Sequence, residues 1–282
     1  MLAKPNDPTT NAGLCPAARS RIKPEPMATR PIPDSKAGHD DQRDPRGVAL
    51  SGHAQIVRAL GEDILSGRFP PGAKIPSEQD LLERFGVSRT SLREAIKTLT
   101  AKGLLVVKTR VGTKVTEPVH WNLFDREVLA WKVRTGMDAD FRRHLAEVRR
   151  AVEPATAELA SLHRTAEDMA RLREAIDAMR AETVSEYGFA RADLSLHLAI
   201  GAASRNPMLR SVASVIETAL LEAFTLSPPT RAPGLHRETV DAHEKIVDRI
   251  EAGDGPGAAA AMLAVIDAGY SRVESEHRSI RS

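Results

Sequence analysis

The chain has 282 residues, 41% of them hydrophobic, 28% charged and only 4% aromatic, with a single cysteine; this fits a globular protein of one large or two modest domains and excludes a disulfide scaffold or a cysteine-built zinc fold. No run approaches the roughly 18 apolar residues of a membrane-spanning helix, and the amino terminus lacks a secretory apolar region, so with Cys15 as the lone thiol the expected compartment is the cytoplasm. The net charge of +2 is uneven: residues 51–115 carry 11 Lys/Arg against 6 Asp/Glu, and the residues after them carry 21 against 26, so a basic unit suited to a polyanion precedes a mildly acidic one.

Residues 1–48 hold eight prolines and no apolar periodicity, and read as a disordered tail. Ile56, Leu60 and Ile64 then recur at helical spacing up to Gly67, and Pro70-Pro71-Gly72 forces a turn. Ser77 with Asp80 resembles a capping box that opens a short helix carrying Leu81, Leu82 and Phe85. Gly86 ends that helix, and Ser88 caps the next, whose core face is Leu92, Ile96 and Leu99. Leu104–Lys108 and Gly112–Val115 read as a β-hairpin. Helix, helix–turn–helix and hairpin together predict a winged helix-turn-helix over residues 49–117.

A linker with a connecting helix is expected over residues 118–137, and an all-helical effector-binding and dimerisation domain over 138–282. In that domain Leu145, Val148, Val152 and Leu159 form one apolar stripe, and Met169, Leu172, Ile176 and Met179 another. A third helix runs from about Glu186 to Ala203. Asn206-Pro207 opens a fourth, with Val212, Val215, Ile216, Ala219, Leu220 and Phe224 as its core face. Ser227–Gly234 reads as a loop, and two further helices are split at Gly253–Gly257. The expected fold class is mainly α: an N-terminal winged helix-turn-helix followed by an antiparallel helical bundle without strands.

A recognition helix needs short polar and cationic side chains at its N-terminal end, where base edges and phosphates meet it in the major groove. Ser88, Arg89, Thr90, Ser91 and Arg93 meet that need. The hairpin adds Lys108, Arg110 and Lys114, and Gly112 permits close approach of backbone to phosphate or minor groove. Taken singly, Arg89 and Arg93 would suit any solvated basic helix; the ordered pattern and the local charge favour double-stranded DNA as the partner.

In the bundle, Asp193 and His197 stand four apart on one helix face, and His243 could meet them across the bundle. Such a pair is ordinarily just hydrogen-bonded, but three N/O donors also suit a divalent metal with positions left for water or a carboxylate. Zinc is the first expectation, with nickel or manganese as alternatives. His163 and His236 read as exposed, and Asn206 as a helix cap.

The segment PGAKIPSEQDLLERFGVSRTSLREAIKTLTAKGLLVVKTRVGTKV closely resembles the amino-terminal domain of GntR-family bacterial transcription regulators, and EVRRAVEPATAELA in a helical second domain resembles their FadR-like subgroup. The resemblance spans Ser51 to the C-terminus. It implies that Arg89 and Arg93 read bases and phosphates and that the hairpin tip reaches the minor groove. Two positions depart from the pattern: Gln79 stands where arginine is frequent, and Arg110 where the hairpin tip usually has its first glycine. The subgroup's metal-binding members carry an Asp, a His four residues on, a His on the penultimate helix and another on the last; the first three match Asp193, His197 and His243, and the fourth falls at Val265. Arg149 resembles the pocket arginine of the subgroup, an effector-binding role for which a planar guanidinium suits a carboxylate. An ion pair with Glu153 or Glu147 explains it equally, and Arg150 reads as outward-facing.

The expected function is therefore a homodimeric, sequence-specific DNA-binding regulator, in sense a repressor, whose helical domain takes a small carboxylate or sugar acid at a metal site. The alternative is a metal-independent regulator sensing acyl-CoA or another carboxylate. A metal-dependent hydrolytic enzyme is remote, because no nucleophile–base constellation, nucleotide loop or acid/base carboxylate pair stands out.

Overall fold

A computed structural model describes residues 51–213, 216 and 233–281. The tail expected over 1–48 lies outside the described residues. Helix α1 (Gly52–Leu65) starts where the Ser51 hydroxyl accepts from the Ala54 N–H, and it buries Ile56, Leu60 and Ile64. Helix α2 (Glu78–Phe85) opens on the Ser77/Asp80 capping box and closes on Gly86 at φ 62°, the left-handed conformation that costs glycine nothing. Helix α3 (Arg89–Ala101) is capped by Ser88. Strands β1 (Leu105–Lys108) and β2 (Gly112–Val115) pair antiparallel with Leu105 opposite Val115. Leu92, Ala95 and Leu99 face the core shared by α1, α2 and the hairpin, while Ile96, expected in that row, is half-buried at its edge.

The joining segment wraps the winged unit. After a short 3₁₀ turn (Pro118–His120), helix α4 (Arg126–Arg134) starts at Asp125, whose carboxylate accepts from the N–H groups of Glu127 and Val128. Trp131 lies so close over Gly61 that a Cβ there would meet the indole at 2.5 Å. Buried Lys102 ties the C-terminus of α3 to this segment through Asp125 at 2.7 Å and Glu127 at 2.8 Å. Val128 and Trp131 thus join the winged core, and Leu129 and Val133 pack instead with Met137 and Phe141.

The bundle comprises α5 (Ala139–His163), α6 (Ala166–Ala181), α7 (Glu186–Ala203), a helical segment α8 (207–213), α9 (Pro233–Ala252) and α10 (Gly255–Arg281). Leu172, Ile176, Met179, Phe189, Leu196, Ile200, Val247 and Ile250 form its core with Met262 and Ile266. Three sequence readings need correction. The stripe Leu145, Val148, Val152 and Leu159 is only half-buried; the inward face of α5 carries Ala146, Arg149, Glu153, Thr156, Ala157 and Ala160. Charged residues there satisfy one another, so an apolar pattern could not reveal the buried face. The second correction is that Pro233 and Gly234, expected in a loop from Ser227, belong to α9; the rest of that expected loop lies outside the described residues. His236, expected to be exposed, is buried, hydrogen-bonds the Met179 carbonyl through Nε2 at 3.0 Å and meets Phe189 edge-on; an imidazole can enter a core once its polar nitrogen is satisfied. His163 is exposed. Of the expected fourth-helix face, Ile216 is buried and Val212 half-buried, and Val215, Ala219, Leu220 and Phe224 lie outside the described residues. Asn206 caps α8 by accepting from the Met208 and Leu209 N–H groups.

Candidate functional site

Ser88 ends an extended approach to α3 and accepts from the Ser91 N–H at 3.1 Å, so the first turn of the helix begins at Arg89. Ser88, Arg89, Thr90 and Arg93 are exposed together at this end, with Ser91 half-buried among them. The α3 residues Leu92, Ala95 and Leu99 hold the helix down on the other side. At the hairpin tip Lys108, Arg110 and Gly112 are exposed, and both Arg110 (φ 64°) and Gly112 (φ 98°) are left-handed. The arginine that replaces the usual glycine therefore takes a glycine-like backbone, at a modest steric cost. Gln79 reaches Glu83 one turn along its own helix.

In the bundle, α7 supplies Asp193 and His197 on one face, and α9 brings His243 opposite them. A donor atom from each lies within 4.8 Å of the other two, and all three residues are buried. Asp193 Oδ1 is 2.9 Å from His243 Nε2 and 3.8 Å from His197 Nε2. The remaining nitrogen of each ring also faces an acceptor: His243 Nδ1 donates to the Thr239 carbonyl at 2.7 Å, and His197 Nδ1 stands 3.2 Å from Glu153 Oε2. The 2.9 Å contact is a hydrogen bond from His243 Nε2–H to Asp193; once that proton leaves, a neutral imidazole with Nδ1 donating offers its Nε2 lone pair to a cation beside Asp193. Two ring nitrogens and a carboxylate oxygen within 4.8 Å of one another suit a shared cation in place of the proton, and outer acceptors on the far ring nitrogens are the usual support of histidine ligands. The donor set therefore fits a divalent metal.

Electrostatics agree with an ionised site. Burial alone would raise the Asp193 carboxyl, but the N–H and positive charge that His243 presents when protonated, with His197 and Arg149, overcome it and hold it down at about 2. Burial likewise opposes ionisation of Glu153, and Arg149 with His197 reverses the effect, keeping that carboxyl well below its usual range. Arg149 donates to Glu153 from Nε at 2.6 Å and from Nη2 at 3.1 Å, so the ion pair forms; Arg149 also lines a cavity of about 120 Å³ beside the cluster. Arg150 turns to Asp267 at 2.7 Å and to the Tyr270 ring. Val265, at the expected fourth-ligand position, lines the same cavity with Glu238, Thr239 and Arg272. The sequence reading missed Glu238, Thr239 and Arg272 as lining residues. Only Glu153 carried a signal, its position four residues from Arg149.

Residues 53–115 match the family described as bacterial regulatory proteins, gntR family, and residues 144–268 match the FCD domain. The galactonate operon transcriptional repressor of Escherichia coli K12, the relative that the joining segment WNLFDREVLAW suggests on reading, is 31% identical over 230 residues, covering 80% of this chain and 99% of the relative. The uncharacterized HTH-type transcriptional regulator YieP of the same strain is 35% identical over 216 residues, covering 75% of this chain and 90% of its own length. The chain belongs to the GntR family.

Its helical half is the FCD domain, the FadR-like C-terminal domain of these regulators. The solved structure of Lar, which controls the expression of the Listeria monocytogenes agr system, shares the fold at a TM-score of 0.59 and 18% identity, covering 81% of this chain and 99% of that one. This GntR protein is thus a DNA-binding transcription regulator with an FCD ligand-binding domain. Both relatives are named as transcriptional regulators, which points away from an enzyme. No described helix is long and apolar enough to cross a membrane. Asp193, His197 and His243 all fall inside the FCD match, and Ser88 to Gly112 inside the gntR match.

Proposed function

We propose that this regulator is a homodimeric, cytoplasmic repressor whose FCD domain holds a divalent metal, zinc first, on Asp193, His197 and His243 and takes a small carboxylate or sugar acid beside it. In this reading residues 49–117 form the DNA-binding domain, 118–137 the linker and 138–282 the effector-binding and dimerisation domain. Ser88, Arg89, Thr90, Ser91 and Arg93 meet the major groove, and Lys108, Arg110 and Gly112 meet the backbone or minor groove. Two copies are needed because one short helix reads too few base pairs, and a two-fold protein mirrors a two-fold operator.

The observation that carries the sensing half is the meeting of three buried donors, of which the two imidazoles already turn their outer nitrogens to acceptors. A bound divalent ion would supply open positions for the oxygen atoms of an acid. Arg149 and Arg272 line the adjoining cavity and favour a carboxylate, and Glu238 and Thr239 offer acceptors for hydroxyl groups. About 120 Å³ suits a compact acid and is small for acyl-CoA. The acid must bind differently to the two arrangements of the DNA-binding domains in order to shift them. Helix α4 is the natural coupling element, since one face packs in the winged core and the other on Met137 and Phe141.

Elemental analysis of purified protein tests the site. Wild type carries stoichiometric metal, and His197→Ala loses most of it while retaining affinity for duplex DNA. Equal metal content in the two proteins overturns the assignment.

A further inference from the structure

An acidic residue sits inside the basic reading surface. Glu78 is the first residue of α2, and its Oε1 lies 3.5 Å from Arg89 Nη1 and 3.7 Å from Arg93 Nη2 of α3. Its place is set independently of those arginines: the Ser77 hydroxyl and the Asp80 carboxylate make the capping box that orients the first turn of α2. The side chains of Arg89 and Arg93 are 75% and 67% exposed and that of Glu78 is 41% exposed, so all three are within reach of a duplex docked on this end of α3. A carboxylate at such a surface repels phosphates. Its neighbour Glu94 differs in that it pairs with Lys97 along its own helix at 2.8 Å.

We propose that Glu78 is a specificity-determining positioning residue whose carboxylate sits against one terminal nitrogen of each guanidinium group, at 3.5 Å from Arg89 and 3.7 Å from Arg93, and leaves their other N–H donors to read bases. A guanidinium has five N–H donors in a rigid fork, so an arginine can keep a carboxylate on one side and bind guanine O6 and N7 on the other. In a matched complex the contact with Glu78 survives. On a random duplex, the arginine reaches phosphate only by swinging away from Glu78 and losing that contact. The carboxylate thus penalises phosphate-only binding more than base reading, and it raises the ratio of specific to non-specific affinity. The same contact limits the number of orientations each long side chain can take, so less freedom is lost when a base is bound.

This inference rests on Arg89 and Arg93 being the readers, and the experiment separates the two claims. Full-length wild type, Glu78→Gln, Glu78→Asp and Arg93→Ala are each used to select from a randomised duplex pool, and affinities are then measured for the wild-type winner and for an unselected duplex. Wild type enriches a two-fold motif, and Arg93→Ala enriches none; if Arg93→Ala selects the same motif, the readers are wrongly assigned and the inference falls with them. Glu78→Gln binds the unselected duplex more tightly and loses about two- to fivefold in the ratio of the two affinities, with its thermal midpoint unchanged. Glu78→Asp keeps the charge but withdraws the contact by one methylene, so its affinity for unselected DNA stays near wild type while the ratio still falls. A Glu78→Gln protein that binds both duplexes more tightly by the same factor, or a Glu78→Asp protein identical to wild type, shows a bulk charge effect and overturns the positioning role. A lowered thermal midpoint in Glu78→Gln, with the ratio kept, assigns Glu78 to helix capping and overturns it too.

Discussion

Glu153 links the arginine of the FCD cavity to the candidate metal cluster. It accepts from Arg149 on both carboxylate oxygens and faces His197 Nδ1 at 3.2 Å, so one buried carboxylate balances a guanidinium and orients an imidazole. Replacing it with glutamine keeps the shape but removes the carboxylate with which Arg149 pairs. Breaking a buried pair in this way costs about 3 kcal/mol, and losing an outer partner of a histidine ligand costs about 10- to 100-fold in metal affinity. Glu153→Gln is therefore expected to lower both the thermal midpoint and the affinity for zinc, measured by competition with a chromogenic chelator. Unchanged zinc affinity would mean that His197 is oriented by something else. In the sequence Glu153 is legible only as a helical neighbour of Arg149. Nothing there says that the pair points inward, because a charged face on a long helix normally faces water.

Helix ends were the most legible feature of the chain. Ser77 with Asp80, Ser88, Asn206 and the left-handed Gly86 all act where their chemistry places them, because a cap is a local exchange of a few hydrogen bonds and needs no knowledge of the rest of the fold. Long helices were less legible. The apolar stripe of α5 is half-buried because the face opposite α7 and α9 is given to Arg149 and Glu153. A cap also carries a pH signature. Thr165 and Asp168 form the box that opens α6, and Arg205 pairs with the same carboxylate at 2.6 Å. Burial would raise the Asp168 carboxyl, but the Thr165 N–H and hydroxyl, with Arg205 and Arg171, leave it below its ordinary value of 3.8. A carboxyl depressed in the folded state stabilises the fold above its unfolded value and loses that contribution as pH falls through the folded one. Asp168→Ala is accordingly expected to cost about 1 kcal/mol at neutral pH, with the gap to wild type closing below pH 3.8. Chemical denaturation at a series of pH values measures it, and a gap that persists in acid would contradict an origin in the depressed carboxyl.

At the scale of the molecule, the division into a basic reader and an acidic helical half is visible in charge alone, and the winged unit emerges from short-range patterns of caps, turns and alternation. The candidate metal centre was half visible. Asp193 and His197 share a face by spacing, but the approach of His243 depends on how α9 packs against α7, and the carbonyl of Thr239 that orients it has no sequence signature. The joining segment is where the two halves meet in one element: Trp131 closes over Gly61, which has no room for a side chain, and Lys102 clamps Asp125 and Glu127. Helix α4 should then travel with the winged domain when the FCD domain changes state, leaving left-handed Gly136 as the place where the backbone can yield.

The claim that a metal-held acid governs DNA affinity is tested most directly by titrating a panel of small hydroxy and sugar acids into protein bound to its selected duplex, with wild type and His197→Ala compared by fluorescence anisotropy. At least one acid is expected to weaken the wild-type complex by about tenfold or more, the usual scale of coupling between two sites, and to leave the His197→Ala complex unchanged. An equal response in both proteins would contradict the account.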